Sequence, residues 1–130
     1  QDNLPQDQQK PVLLFAHGLL WGTHLYDKQV EHFKSSYRCI AFDFRGQGKS
    51  EVTKSGYDMD SLAEDAIALL EALEISKCHL VGLSMGGYVA QRVALKRPDL
   101  LHSLILLDTG AEAENPEKKA DYKKMCKELR

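Results

Sequence analysis

Apolar residues along this chain fall in short unbroken runs, separated by stretches in which they recur at helical spacing. The runs are Val12 to Ala16, Cys39 to Phe42, His79 to Leu83 and Ser103 to Leu107. Continuous rather than alternating apolarity over so few residues predicts strands covered on both faces, as in a parallel sheet. Between them, Met59, Leu62, Ala66, Leu69, Leu70 and Leu73 mark one face of a helix. Asp58 stands where its N-cap belongs, and Tyr57 with Leu62 can form a hydrophobic staple. Leu25 to Phe33 predicts a shorter helix. A third carries Val89, Val93 and Ala94 and should stop near Arg97, because Pro98 follows. Strands alternating with helices give right-handed crossovers and a doubly wound, mostly parallel α/β sheet with flanking helices.

The ends differ in character. Residues 1–10 are polar and Gln-rich and read as a flexible lead-in. From Glu114 to the end, Asn115-Pro116 offers a cap and a first-turn proline. Beyond them only Tyr122, Met125 and Leu129 line an apolar stripe among many charges. Pattern strength leaves two readings of 114–130 open: a solvated, weakly docked helix, or a helix lying over a site. The segment 11–113 between these ends reads as one core.

Composition narrows the function. The 130 residues carry a formal charge of −2, and no basic stripe runs along any element, which argues against a nucleic-acid partner. No apolar run approaches a membrane span. Cys39, Cys78 and Cys126 are odd in number and form no C-x-x-C pair. They read as reduced thiols, which points to the cytoplasm. No metal-ligand spacing stands out, and no cofactor is expected.

The candidate chemistry lies in Val81-Gly-Leu-Ser-Met-Gly-Gly87, which follows a predicted strand and opens a predicted helix. A serine at a sharp strand-to-helix turn needs small neighbours, here Gly82 and Gly86, because its backbone is strained and an added Cβ would crowd the turn. The turn lifts the Ser84 hydroxyl to the start of a helix, where unpaired N–H groups can stabilise developing negative charge. Two further segments precede it: Phe15-Ala-His-Gly18 at the end of the first run, and Phe42-Asp-Phe-Arg-Gly-Gln-Gly-Lys-Ser50 after the second.

In order, H-G, D-x-R-G-x-G-x-S and G-x-S-x-G resemble the α/β-hydrolase superfamily, in particular its lid-bearing esterase, lactonase and haloperoxidase-like branch. The resemblance covers roughly residues 11 to 115. It implies a serine hydrolase of a small carboxylic ester or lactone, with Ser84 as nucleophile and the backbone N–H groups of Leu19 and Met85 as oxyanion hole. Loss of one such donor typically costs about 3 kcal/mol of transition-state stabilisation. The family's strand order puts the runs at 39, 12, 79 and 103 side by side. The chain then reverses direction between the strands ending at His17 and Leu83, where ligands of open α/β sheets collect. The family also places two more strands before Val12, and a lid and two strands after the run at 103. The chain therefore reads as a core truncated at both ends, with 114–130 as the first lid helix. Exposed sheet edges would invite self-association or a complementing chain.

Ser84 also needs a general base and a group to orient it. In the family the histidine and the acid come from beyond the lid. Among the five histidines, His79 and His102 start strands and belong at the opposite edge of the sheet, and His32 sits late in a surface helix. His17 belongs to the oxyanion loop and is structural in the family. That leaves His24 as the one free candidate, against a solvent-facing or pocket-wall role. Asp108 either serves as an acid after the fourth strand or ties the turn Asp108-Thr-Gly110. Asp43 and Arg45 read first as structural residues of a tight turn through Gly46 and Gly48. Tyr26 and Trp21 read as packing residues rather than site residues.

Gly48-Lys-Ser50 imitates the end of a phosphate-binding loop, but position 43 carries Asp43 instead of glycine, and its carboxylate would repel phosphate. A rival from another class is a non-catalytic binding or regulatory module in which no base reaches Ser84. Perhydrolase, thioesterase or acyl-transfer chemistry on the same site is a third reading, which sequence does not separate from the first.

Overall fold

The computed structural model describes residues 2, 10–113 and 115–128. Its elements are β1 (Val12–Ala16), a 3₁₀ turn (Thr23–Tyr26), α1 (Asp27–Phe33), β2 (Arg38–Phe42), α2 (Met59–Ala72), β3 (Cys78–Leu83), α3 (Met85–Lys96), a 3₁₀ turn (Pro98–Leu100), β4 (Leu101–Leu107) and α4 (Pro116–Glu128). The strands form one parallel sheet in the order β2-β1-β3-β4. Direction therefore reverses between β1 and β3, as the strand order of the resembled family implies.

The unbroken apolar runs resolve into two faces because alternate side chains point to opposite sides of a strand. Val12, Leu14, Ala16, Ile40 and Leu80 pack under α2 and α3 with Leu62, Leu70, Val89 and Val93. Leu13, Phe15, Cys39, Ala41 and Val81 pack on the other face with Tyr26 and Val30. β4 departs from the expected two-sided burial. It pairs only with β3, and Ile105, Leu106 and Leu107 are exposed. Leu101 and Leu104 pack partly buried against the core, while the rest of its apolar run stays open to solvent.

Local signals set the element ends. The Asp58 carboxylate accepts the Ser61 N–H at 2.9 Å, capping α2. α3 ends at Lys96, one residue before the position preceding Pro98. Asn115 Oδ1 accepts the Lys118 N–H at 2.8 Å, capping α4. The predicted helix at 25–33 begins as a 3₁₀ turn and becomes α-helical only at Asp27. α4 buries none of its described side chains; Glu114 and Leu129 lie outside the described residues. Of the predicted lead-in, only Asp2 and Lys10 are described. Asp2 bridges antiparallel to Ile40 at the β2 edge and pairs with Arg38 at 2.7 Å.

Candidate active site

Ser84 joins β3 to α3 with φ 51° and ψ −114°, a conformation that costs a non-glycine residue roughly 1–3 kcal/mol. The surroundings hold it there. Its N–H donates to the Leu107 carbonyl at 3.0 Å, and its carbonyl accepts from Gly87 N–H at 2.9 Å and Tyr88 N–H at 3.2 Å. The Thr109 hydroxyl donates to the same carbonyl at 2.9 Å. The flanking glycines are required by close approach. A Cβ on Gly82 would collide with the backbone of Gly86, and one on Gly86 with the carbonyls of Ala16 and His17. α3 thus starts directly on the end of β1, which brings the two loops of the switch point together.

The Gly18–Leu19 loop lies against the serine: a Cβ added at Gly18 would stand 3.7 Å from Ser84 Cβ. Among the described residues, neither the Leu19 nor the Met85 N–H makes a hydrogen bond, and the Ser84 hydroxyl caps nothing. Leu19, Ser84 and Met85 share a partly open cavity of about 630 Å³, also lined by Met59, Leu62, Tyr88, Gln91 and Arg92 and by Tyr122, Met125 and Cys126 of α4. That size suits a small-molecule site. α4 has no buried residue, and three of its side chains line the cavity. A larger groove of about 1420 Å³ runs along the β2 edge past Asp43 and contains neither Ser84 nor Met85. We place the candidate site at the smaller cavity, because that one holds the strained serine.

The Gly18–Leu19 loop is built by side chains that hold backbone. His17 is fully buried. Its Nε2 accepts the Phe44 N–H at 3.1 Å and its Nδ1 lies 2.7 Å from the Gly18 carbonyl. Nδ1 therefore carries the proton, and both ring nitrogens are committed. Leu20, at φ 62°, donates its N–H to Gln47 Oε1 at 2.8 Å. Asp43 accepts Thr23 N–H at 2.8 Å and Lys49 N–H at 2.9 Å. Burial pushes the Asp43 carboxyl up, but the Lys49 and Thr23 N–H groups hold it below the usual aspartate value. The segment that imitates a phosphate loop is filled by this carboxylate. Arg45 does not pair with Asp43; it makes a two-pronged bond to Asp65 of α2 at 2.5 and 2.6 Å.

Other candidates are placed away from Ser84. His24 is solvent-facing, 3.5 Å from Asp27, and lines the β2-edge groove rather than the serine cavity. His79 bonds Ser103 Oγ at 2.7 Å and stacks near His102 at the starts of β3 and β4. His32 sits exposed in the last turn of α1. Asp108 is exposed at φ 45°, and its carboxylate makes no hydrogen bond among the described residues. The turn it was expected to tie is tied by Thr109 and by Gln91, whose Nε2 donates to the Gly110 carbonyl at 2.8 Å. Tyr26 is buried, donating its hydroxyl to the Ala16 carbonyl at 2.9 Å, and Trp21 is exposed outside the cavity. Thr109, Gln47, Gln91 and Arg92 escaped the sequence reading, since each acts through a contact distant along the chain or on a wall no motif marks.

A family model described as alpha/beta hydrolase fold matches residues 11–125. The chain belongs to the α/β-hydrolase family. This α/β-hydrolase-fold chain is 33% identical over 103 residues to 3-oxoadipate enol-lactonase 2 of Acinetobacter baylyi, covering 79% of the chain and 39% of the relative. It is 35% identical over 101 residues to epoxide hydrolase 4 of Mus musculus, covering 76% and 28%. A solved structure of a thermophilic esterase from Thermogutta terrifontis, with malate bound, superposes with a TM-score of 0.86 at 37% identity. That match covers 92% of this chain and 44% of the esterase. The chain thus spans less than half the length of each of these relatives. Among the described residues no helix is long and apolar enough to cross a membrane.

Proposed function

We propose that this α/β-hydrolase acts on small carboxylic esters or lactones through Ser84. In this reading the hydroxyl oxygen attacks the carbonyl, and the oxyanion is held by the N–H groups of Leu19 and Met85. The single observation that carries it is the strained Ser84 backbone in the lining of a partly open cavity, with two uncommitted N–H groups beside it. A protein tolerates a strained φ at a serine only where the surroundings over-determine it, and such strain clusters at functional sites. The lactonase and the esterase among its relatives favour this substrate class. No described histidine lies in the cavity, so the reading assigns the base, and the acid that orients it, to sequence outside the described residues or to a second chain.

That same lack of a histidine favours the second reading, a binding module in which Ser84 is never activated. A fluorophosphonate probe separates the two. Labelling that disappears in Ser84→Ala is expected for the hydrolase. A folded chain that takes no label would overturn the catalytic reading for these residues. Perhydrolase, thioesterase and acyl-transfer chemistry would label equally and are separated by the acceptor that releases the acyl group.

A further inference from the structure

We propose that the Ser84 cavity holds an anion subsite at Arg92, and that its substrates are esters or lactones whose acyl portion ends in a carboxylate. This rests on the reading that the cavity beside Ser84 is the reaction site.

The cavity follows one face of α3, from Ser84 past Tyr88 and Gln91 to Arg92, and Arg92 is the cation among its described lining residues. Eight residues of helix place the two Cα atoms roughly 12 Å apart. Arg92 Nη1 donates to the Tyr88 carbonyl at 3.2 Å, which folds the side chain back towards the helix start and brings the guanidinium nearer to Ser84. Between them lie apolar walls from Met59, Leu62 and Met85, suited to an aliphatic spacer.

The guanidinium is not used up. Its Nε forms a long ion pair with Asp60 Oδ1 at 3.6 Å without a hydrogen bond, and Lys96 shares that Asp60 oxygen at 3.8 Å. Nη2 makes no hydrogen bond among the described residues. An arginine fork with free donors at the far end of a pocket matches a carboxylate in geometry as well as charge. Two carboxylates face the same region and oppose an anion: Asp60, and Glu112 on the loop after β4. Glu112 is exposed and forms no ion pair with Arg92. Its repulsion is therefore screened by water and salt, whereas a docked carboxylate would bond the fork directly.

The test is calorimetric titration of the Ser84→Ala chain, which cannot turn over, with monoethyl glutarate, monoethyl suberate and the same esters carrying a terminal carboxamide. At neutral pH and low salt, at least one acid is expected to bind about tenfold more tightly than its amide. The preference should shrink in high salt and vanish when Arg92→Gln is added, with thermal melts confirming that each variant is folded. Equal affinity for acid and amide, a preference that survives Arg92→Gln, or no binding of either would each overturn the proposal. Fluorophosphonate labelling reads Ser84 without an acid group on the probe, and this titration reads Arg92 without the Ser84 hydroxyl. Failure of one reading is thus distinguishable from failure of the other.

Discussion

Thr109→Val isolates the contact that holds the Ser84 turn from the neighbouring strand end. Valine keeps the shape of threonine and the methyl that faces Gly87, and removes only the hydroxyl that donates to the Ser84 carbonyl at 2.9 Å. That carbonyl keeps two donors, Gly87 N–H at 2.9 Å and Tyr88 N–H at 3.2 Å. The loss is therefore one net hydrogen bond rather than an orphaned acceptor, about 1 kcal/mol. For a domain of this size the melting temperature should fall by about 3–6 °C. Thr109→Ser makes the complementary change: it keeps the donor and loses a methyl at a half-buried position, which costs less than the roughly 0.8 kcal/mol of a fully buried methylene. Relaxation of the strained turn should move the Ser84 hydroxyl, and fluorophosphonate labelling of Thr109→Val should slow by about tenfold, since small misplacements are expensive in reacting geometry. Thr109→Ser should label at the parent rate. Thermal circular dichroism and labelling time courses on the three chains decide the matter. If Thr109→Val labelled at the parent rate while Thr109→Ser slowed, the methyl contact and not the hydrogen bond would be holding the turn.

Two further outcomes follow from burial. Cys126 is exposed, while Cys39 and Cys78 are buried, and burial pushes the Cys78 thiol up to about 12. A disulfide reagent should react quickly with Cys126 alone, Cys126→Ser should abolish the fast phase, and the other two should react only on unfolding; a second fast thiol would contradict the packing of the sheet. Asp43 is held below the ordinary aspartate value of 3.8, so the folded chain binds its proton more weakly than the unfolded chain. Its contribution is complete above that value and is lost as pH falls through the folded one. The stability difference between parent and Asp43→Asn, measured by urea melts, should therefore narrow below pH 3.8; a gap independent of pH would show that the carboxylate charge does not matter.

The order of elements was legible in the chain because each depends on near neighbours. Apolar runs mark strands, Asp58 and Asn115 cap helices, Pro98 ends one, and Gly82 and Gly86 permit the turn at Ser84. The three motifs even implied which strands lie side by side. The burial of β4 was misjudged, since hydrophobicity states a preference for burial and cannot supply a covering partner. The same limit applies at the site. The H-G motif marked His17 as structural, but no local signal chose between a site role and a solvent-facing one for His24, which the fold leaves facing water beside Asp27. Asp108 and Thr109 are adjacent in sequence, but a left-handed backbone at Asp108 turns its carboxylate out while the Thr109 hydroxyl reaches the Ser84 carbonyl. Arg92 enters the cavity only because α2 and α4 close over that face of α3. Residue type and spacing thus determined the strand–turn–helix chemistry around Ser84, which is made within a few bonds. Which side chains meet it from afar was decided by packing, because those contacts form between segments whose separation along the chain carries no information about their distance in space.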